Sequence, residues 1–276
     1  MIIHLIDGTY ELYRHFYGQR SFNKGKDKPF GAVVGVLHGV LQMIEEGATH
    51  VGVATDHVIE SFRNDLWEGY KTGEGIDRAL WKQFHPLEDI LAAMGVVVWP
   101  MIELEADDAL ASSAQLAAAD PRVQKVCIWT PDKDLAQCVR DERVVQIDRR
   151  AGAIRNATAV RKKFGVDPIY IPDFLALVGD SADGYPGIAG IGKIGAARLL
   201  NEYGPIENFP ENLLAGKREQ ALLFKQLATL RTDAPLFRDV DELRWHGPTA
   251  SFAKLTKKLD DARLLSRANA AAASVG

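Results

Sequence analysis

The stretch IIHLID, residues 2–7, is a short apolar run that ends in a carboxylate. Val51 to Thr55 runs in the same way into Asp56, and Val126 to Thr130 into Asp132. Val96–Trp99 and Val144–Ile147 are further apolar runs of strand length. Between them lie helical patterns over Ala32–Glu46, Leu80–Met94 and Asp107–Ala119. Strands alternating with helices predict an α/β protein with a mainly parallel central sheet flanked by helices. Ligands of such sheets bind beyond the carboxyl ends of the strands. The acids that close these runs therefore stand where chemistry is expected.

Working outward, the chain changes character after about residue 165. No strand pattern repeats there. Pro168–Val178 is followed by a glycine-rich turn over 184–195 and helical patterns at Ala196–Tyr203 and Lys217–Thr229. This predicts a second, helical unit over 166–265 behind an α/β unit over 1–165. The alanine-rich end, 266–276, reads as a disordered tail.

Composition excludes several classes. Of 276 residues, 47% are apolar and 25% charged, which is neither disordered nor collagen-like. Cys127 and Cys138 form no CxxC or zinc spacing and fit a reducing cytoplasm. The seven histidines include no HxH or HExxH pair. MIIHLIDG lacks the basic region of a signal peptide, and Ala92–Ile102 is too short to span a bilayer. The net charge of −4 is unusual for a nucleic-acid partner, which carries a basic excess.

Nine acids stand out: Asp7, Asp56, Glu105, Asp107, Asp108, Asp132, Asp134, Asp180 and Asp183. Singly, each is an ordinary turn residue, helix cap or complement to a helix dipole. Together at one sheet edge they would repel one another by several kcal/mol, or take up protons, unless they share a cation. Ligation by carboxylates alone points to a hard ion, Mg²⁺ or Mn²⁺. Nine acids exceed the needs of one such ion. Two ions fit, in the arrangement used for phosphodiester displacement. LIDGT also has the look of the first motif of haloacid-dehalogenase phosphatases, but their nucleophilic Asp falls at Leu5.

The segment PGIAGIGKIGAARLL, 186–200, contains two misleading matches. Gly187–Lys193 satisfies GxxxxGK but is followed by Ile194, so the magnesium-binding hydroxyl is missing. Gly190, Gly192 and Gly195 satisfy GxGxxG, yet no strand precedes them. A helix–hairpin–helix is the better physical reading. Its turn presents backbone N–H groups and a helix N-terminus to an anionic oxygen, with Lys193 and Arg198 nearby. Such a contact to DNA phosphates carries no base information. A plain turn between packed helices is the other reading.

The markers IDGTYELYR, SFRNDLWEGYK, LEADDALAS, TPDKDLAQ, GDSADGYPGIAGIGKIGAARLL and TLRTDAPL, in this order, resemble the 5′-nuclease family. That family holds the flap endonucleases, the phage 5′-exonucleases and the N-terminal domain of bacterial DNA polymerase I. The resemblance runs from Ile2 to about Leu265 and implies a free-standing nuclease. It implies a PIN-like core, a helix–hairpin–helix (H3TH) subdomain, and hydrolysis of DNA at 5′ flaps, overhangs and 5′ ends, RNA–DNA primer junctions included. The implied cofactors are two Mg²⁺ or Mn²⁺ ions, with K⁺ at the glycine hairpin. The first divalent ion falls to Asp7, Asp56, Glu105 and Asp107. The second falls to Asp132, Asp134 and Asp183, with Asp180 near. Asp107 of the Asp107/Asp108 pair is the implied bridge.

By the same resemblance, Arg14 and Lys71 act on the scissile phosphate. Arg63 and Tyr70 lie close to the 5′ strand. Gly187, Gly190, Gly192, Lys193 and Arg198 touch the duplex. For Arg63, pairing with a neighbouring acid is the alternative, and for Tyr70, simple packing. Residues 72–85 form an arch or clamp in which Trp81 and Phe84 either stack on bases or pack in the core. Two departures stand out: Glu74 replaces a common arginine, and Gly184 a common asparagine. A monomer in the cytoplasm, at the nucleoid, is expected. The alternatives are a DNA-binding scaffold without catalysis and a PIN-like ribonuclease. Without the nine acids the net charge would be +5, of which +4 lies beyond residue 160.

Overall fold

The computed structural model describes residues 1–23 and 28–275. Among the described residues, six strands form one sheet: β1 (Ile2–Asp7), β2 (His50–Asp56), β3 (Val97–Met101), β4 (Lys125–Trp129), β5 (Val144–Asp148) and β6 (Ala153–Arg155). Their order is β3-β2-β1-β4-β5-β6. The first five are parallel, as the alternating pattern predicts, and β6 is an antiparallel edge. The chain winds outward from β1 in both directions. The crevice at the carboxyl end of β1 is thus the switch point of the sheet. Asp7 and Asp56 end neighbouring strands there, with Asp7 in register with Ala54.

The helices are α1 (Gly8–Asn23), α2 (Gly31–Glu45), α3 (Phe62–Leu66), α4 (Arg78–Trp81), α5 (Phe84–Ala93), α6 (Ala106–Ala119), α7 (Ala157–Phe164), α8 (Ile171–Val178), α9 (Lys193–Tyr203), α10 (Arg218–Ala228), α11 (Phe252–Thr256) and α12 (Ala262–Val275). One face of the sheet buries Ile6, Val51 and Val53 against Leu37, Leu41 and Leu91. The other buries Ile3, Leu5 and Ile128 against Leu110 and Ala114 of α6. A third core, around Phe174, Leu177, Tyr185, Leu200 and Phe224, belongs to the helical unit.

Three expectations need correction. The single helix expected over Leu80–Met94 is broken between α4 and α5. Gln83, buried at the break, accepts the N–H groups of Ala32 and Val33 through Oε1 and so caps the start of α2. The tail expected to be disordered is α12. Leu264, Ala268 and Ala271 recur at helical spacing and are buried in the core of the first unit, while Arg267 pairs with Glu45 on α2 at 2.5 Å. Finally, the residues after about 240 do not stay with the helical unit. Trp245, Phe252 and Leu259 pack into the same core as α2 and α5.

Candidate metal and nucleic-acid site

Local structure fixes each acid at the carboxyl edge. Asp7 caps α1, its Oδ1 accepting the Tyr10 N–H at 2.8 Å, while Oδ2 accepts from the Thr130 hydroxyl at 3.0 Å. Asp56 Oδ1 accepts the Ala106 N–H at 2.8 Å and ties β2 to the start of α6. Glu105 occupies the N-cap position of α6 and Asp107 its first turn. Asp132 follows β4, and its Oδ1 accepts the Asp134 N–H at 2.9 Å. Asp180 and Asp183 follow α8. The two roles weighed for such acids coexist: caps and turn residues can also face the crevice.

Two triads form. Single carboxylate oxygens of Asp107, Asp132 and Asp134 lie within 4.8 Å of one another, and so do those of Asp134, Asp180 and Asp183. Asp134, rather than Asp107, is common to both. Its Oδ1 is buried and, among the described residues, has no hydrogen-bond partner. Burial, then the Asp132 charge, pushes the carboxyls of Asp107 and Asp134 far above the usual range. Burial and the charges of Asp56 and Asp132 push Asp7 up to about 7. Burial also raises Asp56 and Asp183. These acids resist ionising together, and their oxygens are the donor set of a hard cation. The residues fit such an ion, and the Asp134 Oδ1 without a partner is a ready donor to it.

Cations of the chain already stand in the cluster, Lys71, Arg63 and Lys133 among them. Lys71 Nζ lies 2.6 Å from Glu105 Oε2 and 3.3 Å from Asp183 Oδ1. Burial would raise Glu105, but Lys71 and Arg63 beside it hold its carboxyl below the ordinary value. Lys71 is set in place by its backbone, since its N–H donates to the Asp183 carbonyl at 3.1 Å. The neighbouring Trp67 Nε1 donates to the Gly184 carbonyl, also at 3.1 Å. Gly184 has φ +82°, and a Cβ there would come within 1.9 Å of the Gly69 carbonyl oxygen. The glycine that replaces a common asparagine thus lets the two loops touch backbone to backbone.

Four residues expected at the site have other places. Arg63 is 1% exposed and donates two hydrogen bonds to Asp108, at 2.7 and 2.8 Å, and one to Glu105 at 3.1 Å. Asp108 is fully buried by this pairing and is no member of either triad. A cation sealed against two acids cannot reach a DNA strand, so the alternative of pairing is correct for Arg63. Tyr70 is buried in the helical core, with its hydroxyl donating to Glu105 at 3.4 Å. Phe84 is buried edge-on to Tyr13, so it packs rather than stacks on bases. Trp81, in contrast, is 41% exposed.

Arg14 pairs with Glu11 at 2.5 Å. It lines a cleft of about 660 Å³ with Tyr10, Tyr13, Tyr17 and Arg150. In the glycine hairpin, Gly187 is buried beside Gly179, too deep for a surface contact. Gly190, Gly192, Lys193 and Ile194 are exposed at the start of α9, and Arg198 is exposed further along it. Sequence reading missed Ser61, whose hydroxyl donates to Glu105 at 2.6 Å, and Lys133, whose Nζ lies 2.5 Å from Asp180 Oδ2. For Lys133 the signal was its place between two site acids. For Ser61 there was none.

An acidic crevice at the switch point of a parallel sheet, joined to a helical unit with an exposed glycine hairpin, defines a two-part nuclease fold. Residues 2–165 match the N-terminal resolvase-like domain of 5′-3′ exonucleases and residues 166–251 their C-terminal SAM fold. The chain belongs to the 5′-3′ exonuclease family. It is 32% identical to a 5′-3′ exonuclease of Aquifex aeolicus, over 96% of this chain and 93% of that one. It is 34% identical to DNA polymerase I of Pseudomonas aeruginosa, over 87% of this chain but only 28% of that one. The chain thus spans under a third of the polymerase's length. Among solved structures, the T5 5′-exonuclease with bound zinc superposes with a TM-score of 0.66 at 18% identity, covering 97% of this chain and all of that one.

Proposed function

We propose that this chain is a structure-specific 5′ nuclease that hydrolyses DNA phosphodiester bonds at 5′ flaps, overhangs and ends. The observation that carries this reading is the pair of carboxylate triads sharing Asp134, with its partnerless buried oxygen. By the resemblance, Asp7, Asp56, Glu105 and Asp107 would hold one divalent cation and Asp132, Asp134 and Asp183, with Asp180, a second, whereas the triads group Asp107 with Asp132 and Asp134. Mg²⁺ or Mn²⁺ there supplies Lewis acidity to an in-line displacement. Lys71, between Glu105 and Asp183, places an ammonium where charge develops on the phosphate. Arg14 adds a guanidinium from the tyrosine-lined cleft.

Gly190, Gly192, Lys193 and Arg198 bind the duplex backbone, so substrate is chosen by shape rather than base sequence. A K⁺ ion at this hairpin belongs to the same reading, and its sign is duplex affinity higher in K⁺ than in Na⁺. Residues 72–85 form the clamp on the 5′ strand, with Trp81 exposed and Phe84 packed inward. The chain acts as a monomer in the cytoplasm, at the nucleoid. Among the described residues no helix is long and apolar enough to cross a membrane.

The test incubates labelled 5′-flap DNA and matched RNA with Mg²⁺ and with EDTA. Cutting of the DNA only, abolished by EDTA and reduced on the order of 10³-fold in Asp132→Ala/Asp134→Ala, is expected. Tight flap binding without cutting in Mg²⁺ or Mn²⁺ would replace the reading with a scaffold. Preferential cutting of RNA would replace it with a ribonuclease.

A further inference from the structure

Lys133 lies in the loop between β4 and the short turn Asp134–Cys138. Its ammonium is 2.5 Å from Asp180 Oδ2. The other oxygen, Oδ1, accepts the Ala182 N–H at 3.0 Å, and Asp180 itself is buried. Asp180 is one of the three carboxylates in the triad with Asp134 and Asp183. The chain's own ammonium therefore occupies one corner of a cation-binding triad. While it stays, the triad is one unit less negative, and an entering cation must share Asp180 with it.

The ammonium is not sealed in. The Lys133 side chain is 33% exposed. Near it is the exposed Lys163 of α7, while Arg155 is held by Asp148 at 3.1 Å. Burial and then the Arg155 charge lower Lys163, Asp148 and Asp132 oppose this, and the Lys133 charge adds to the lowering, so the two lysines feel one another. Among the described residues, no carboxylate lies within ion-pair distance of Lys163. Two accessible ammonium groups, on Lys133 and Lys163, beside a triad suited to a cation, fit an anionic backbone laid across the lip.

Resting on the nuclease reading, we propose that Lys133 is a positioning residue that passes from Asp180 to a phosphate of bound DNA, so that the Asp134–Asp180–Asp183 triad takes its cation cooperatively with the nucleic acid. Phosphate draws the ammonium off Asp180 and leaves the triad free. By linkage, a cation in the triad frees the ammonium for phosphate and tightens DNA by the same factor. The device keeps the triad part-neutralised until substrate arrives.

The test is calorimetric titration of Mn²⁺ into the full chain, without DNA and with a 5′-overhang hairpin DNA made uncleavable by phosphorothioate linkages. In the wild type, DNA tightens the weaker Mn²⁺ site by about fivefold or more. In Lys133→Met, that site is already tightened by a similar factor without DNA, and DNA adds little. Lys133→Arg keeps the charge and behaves as the wild type, and thermal unfolding in EDTA confirms that both variants fold. If Lys133→Met binds Mn²⁺ no tighter than the wild type, or still responds fully to DNA, the handover is wrong. A wild type that binds two Mn²⁺ and cuts DNA but shows no DNA effect sinks this inference alone. A wild type that binds no Mn²⁺ sinks the nuclease reading beneath it.

Discussion

The acid crevice and the glycine hairpin would both handle charge, but they are built in opposite ways. The crevice is buried and overloaded. Its carboxylates crowd together, several are pushed far from their ordinary pKa, and the chain answers with internal cations at Arg63, Lys71 and Lys133. The hairpin is exposed and lightly charged, with open backbone at Gly190 and Gly192 and single cations at Lys193 and Arg198. The difference separates strong interaction from weak. Charges in the crevice act at low dielectric and affect stability as well as chemistry. Charges on the hairpin are screened by water and salt and affect binding alone.

Removing an internal cation breaks this comparison most sharply. Arg63→Ala would strand Asp108 and Glu105 without their buried partner. A loss of about 3–5 kcal/mol is expected, seen as a much lower urea midpoint. Arg63→Lys is also destabilising, because an ammonium cannot repeat the forked bond to Asp108. If Arg63 were a DNA contact, as its motif suggests, both variants would keep their stability and lose affinity instead.

Protonation breaks the comparison more gently. The Asp7 carboxyl, near 7 when folded and about 4 when unfolded, binds a proton more tightly in the folded chain. Stability of the metal-free protein therefore falls as pH rises from about 4 through 7, and the raised Asp107 and Asp134 act in the same direction. Melting temperature in EDTA should drop by several degrees, roughly 4–8 °C, between pH 5.5 and 8. Mg²⁺ should flatten the slope by binding the ionised carboxylates and stabilising the folded state. A flat melting profile in EDTA would mean that the crevice is no more strained than the hairpin.

The sequence was legible where a residue type has one cheap physical reading. Apolar runs ending in acids gave the parallel sheet, since period and length leave little choice. The nine acids stood out because carboxylates rarely gather without cause, and five of them form the two triads. Asp108 was misread because the adjacent acids Asp107 and Asp108 differ only in which side of α6 they face. That is set by Arg63, 45 residues back in the chain. Gln83 broke a helix that periodicity supported, because its amide serves the start of α2 rather than its own turn. The alanine-rich end looked featureless, yet small residues at helical spacing are what let α12 pack closely against α2. Each miss is a tertiary contact overriding a local signal.

The hairpin offers the smallest effect and the cleanest contrast. Lys193 begins α9, is exposed, and is capped by no side chain. Lys193→Ala should leave stability within about 0.5 kcal/mol, as for a surface change away from special features. Duplex affinity should weaken several-fold, and the dependence of log affinity on log salt should become shallower by about one unit. Cutting at saturating DNA should be unchanged, because the residue lies outside both triads. Gly190→Ala sharpens the point. With φ +89° and nothing within 4 Å, a Cβ there meets strain but no clash. It should cost about 1 kcal/mol in stability and disturb the N–H groups proposed to face phosphate. If Lys193→Ala instead lowered the maximal rate at saturating DNA, hairpin and crevice would be one electrostatic unit, and the separation drawn between them would fail.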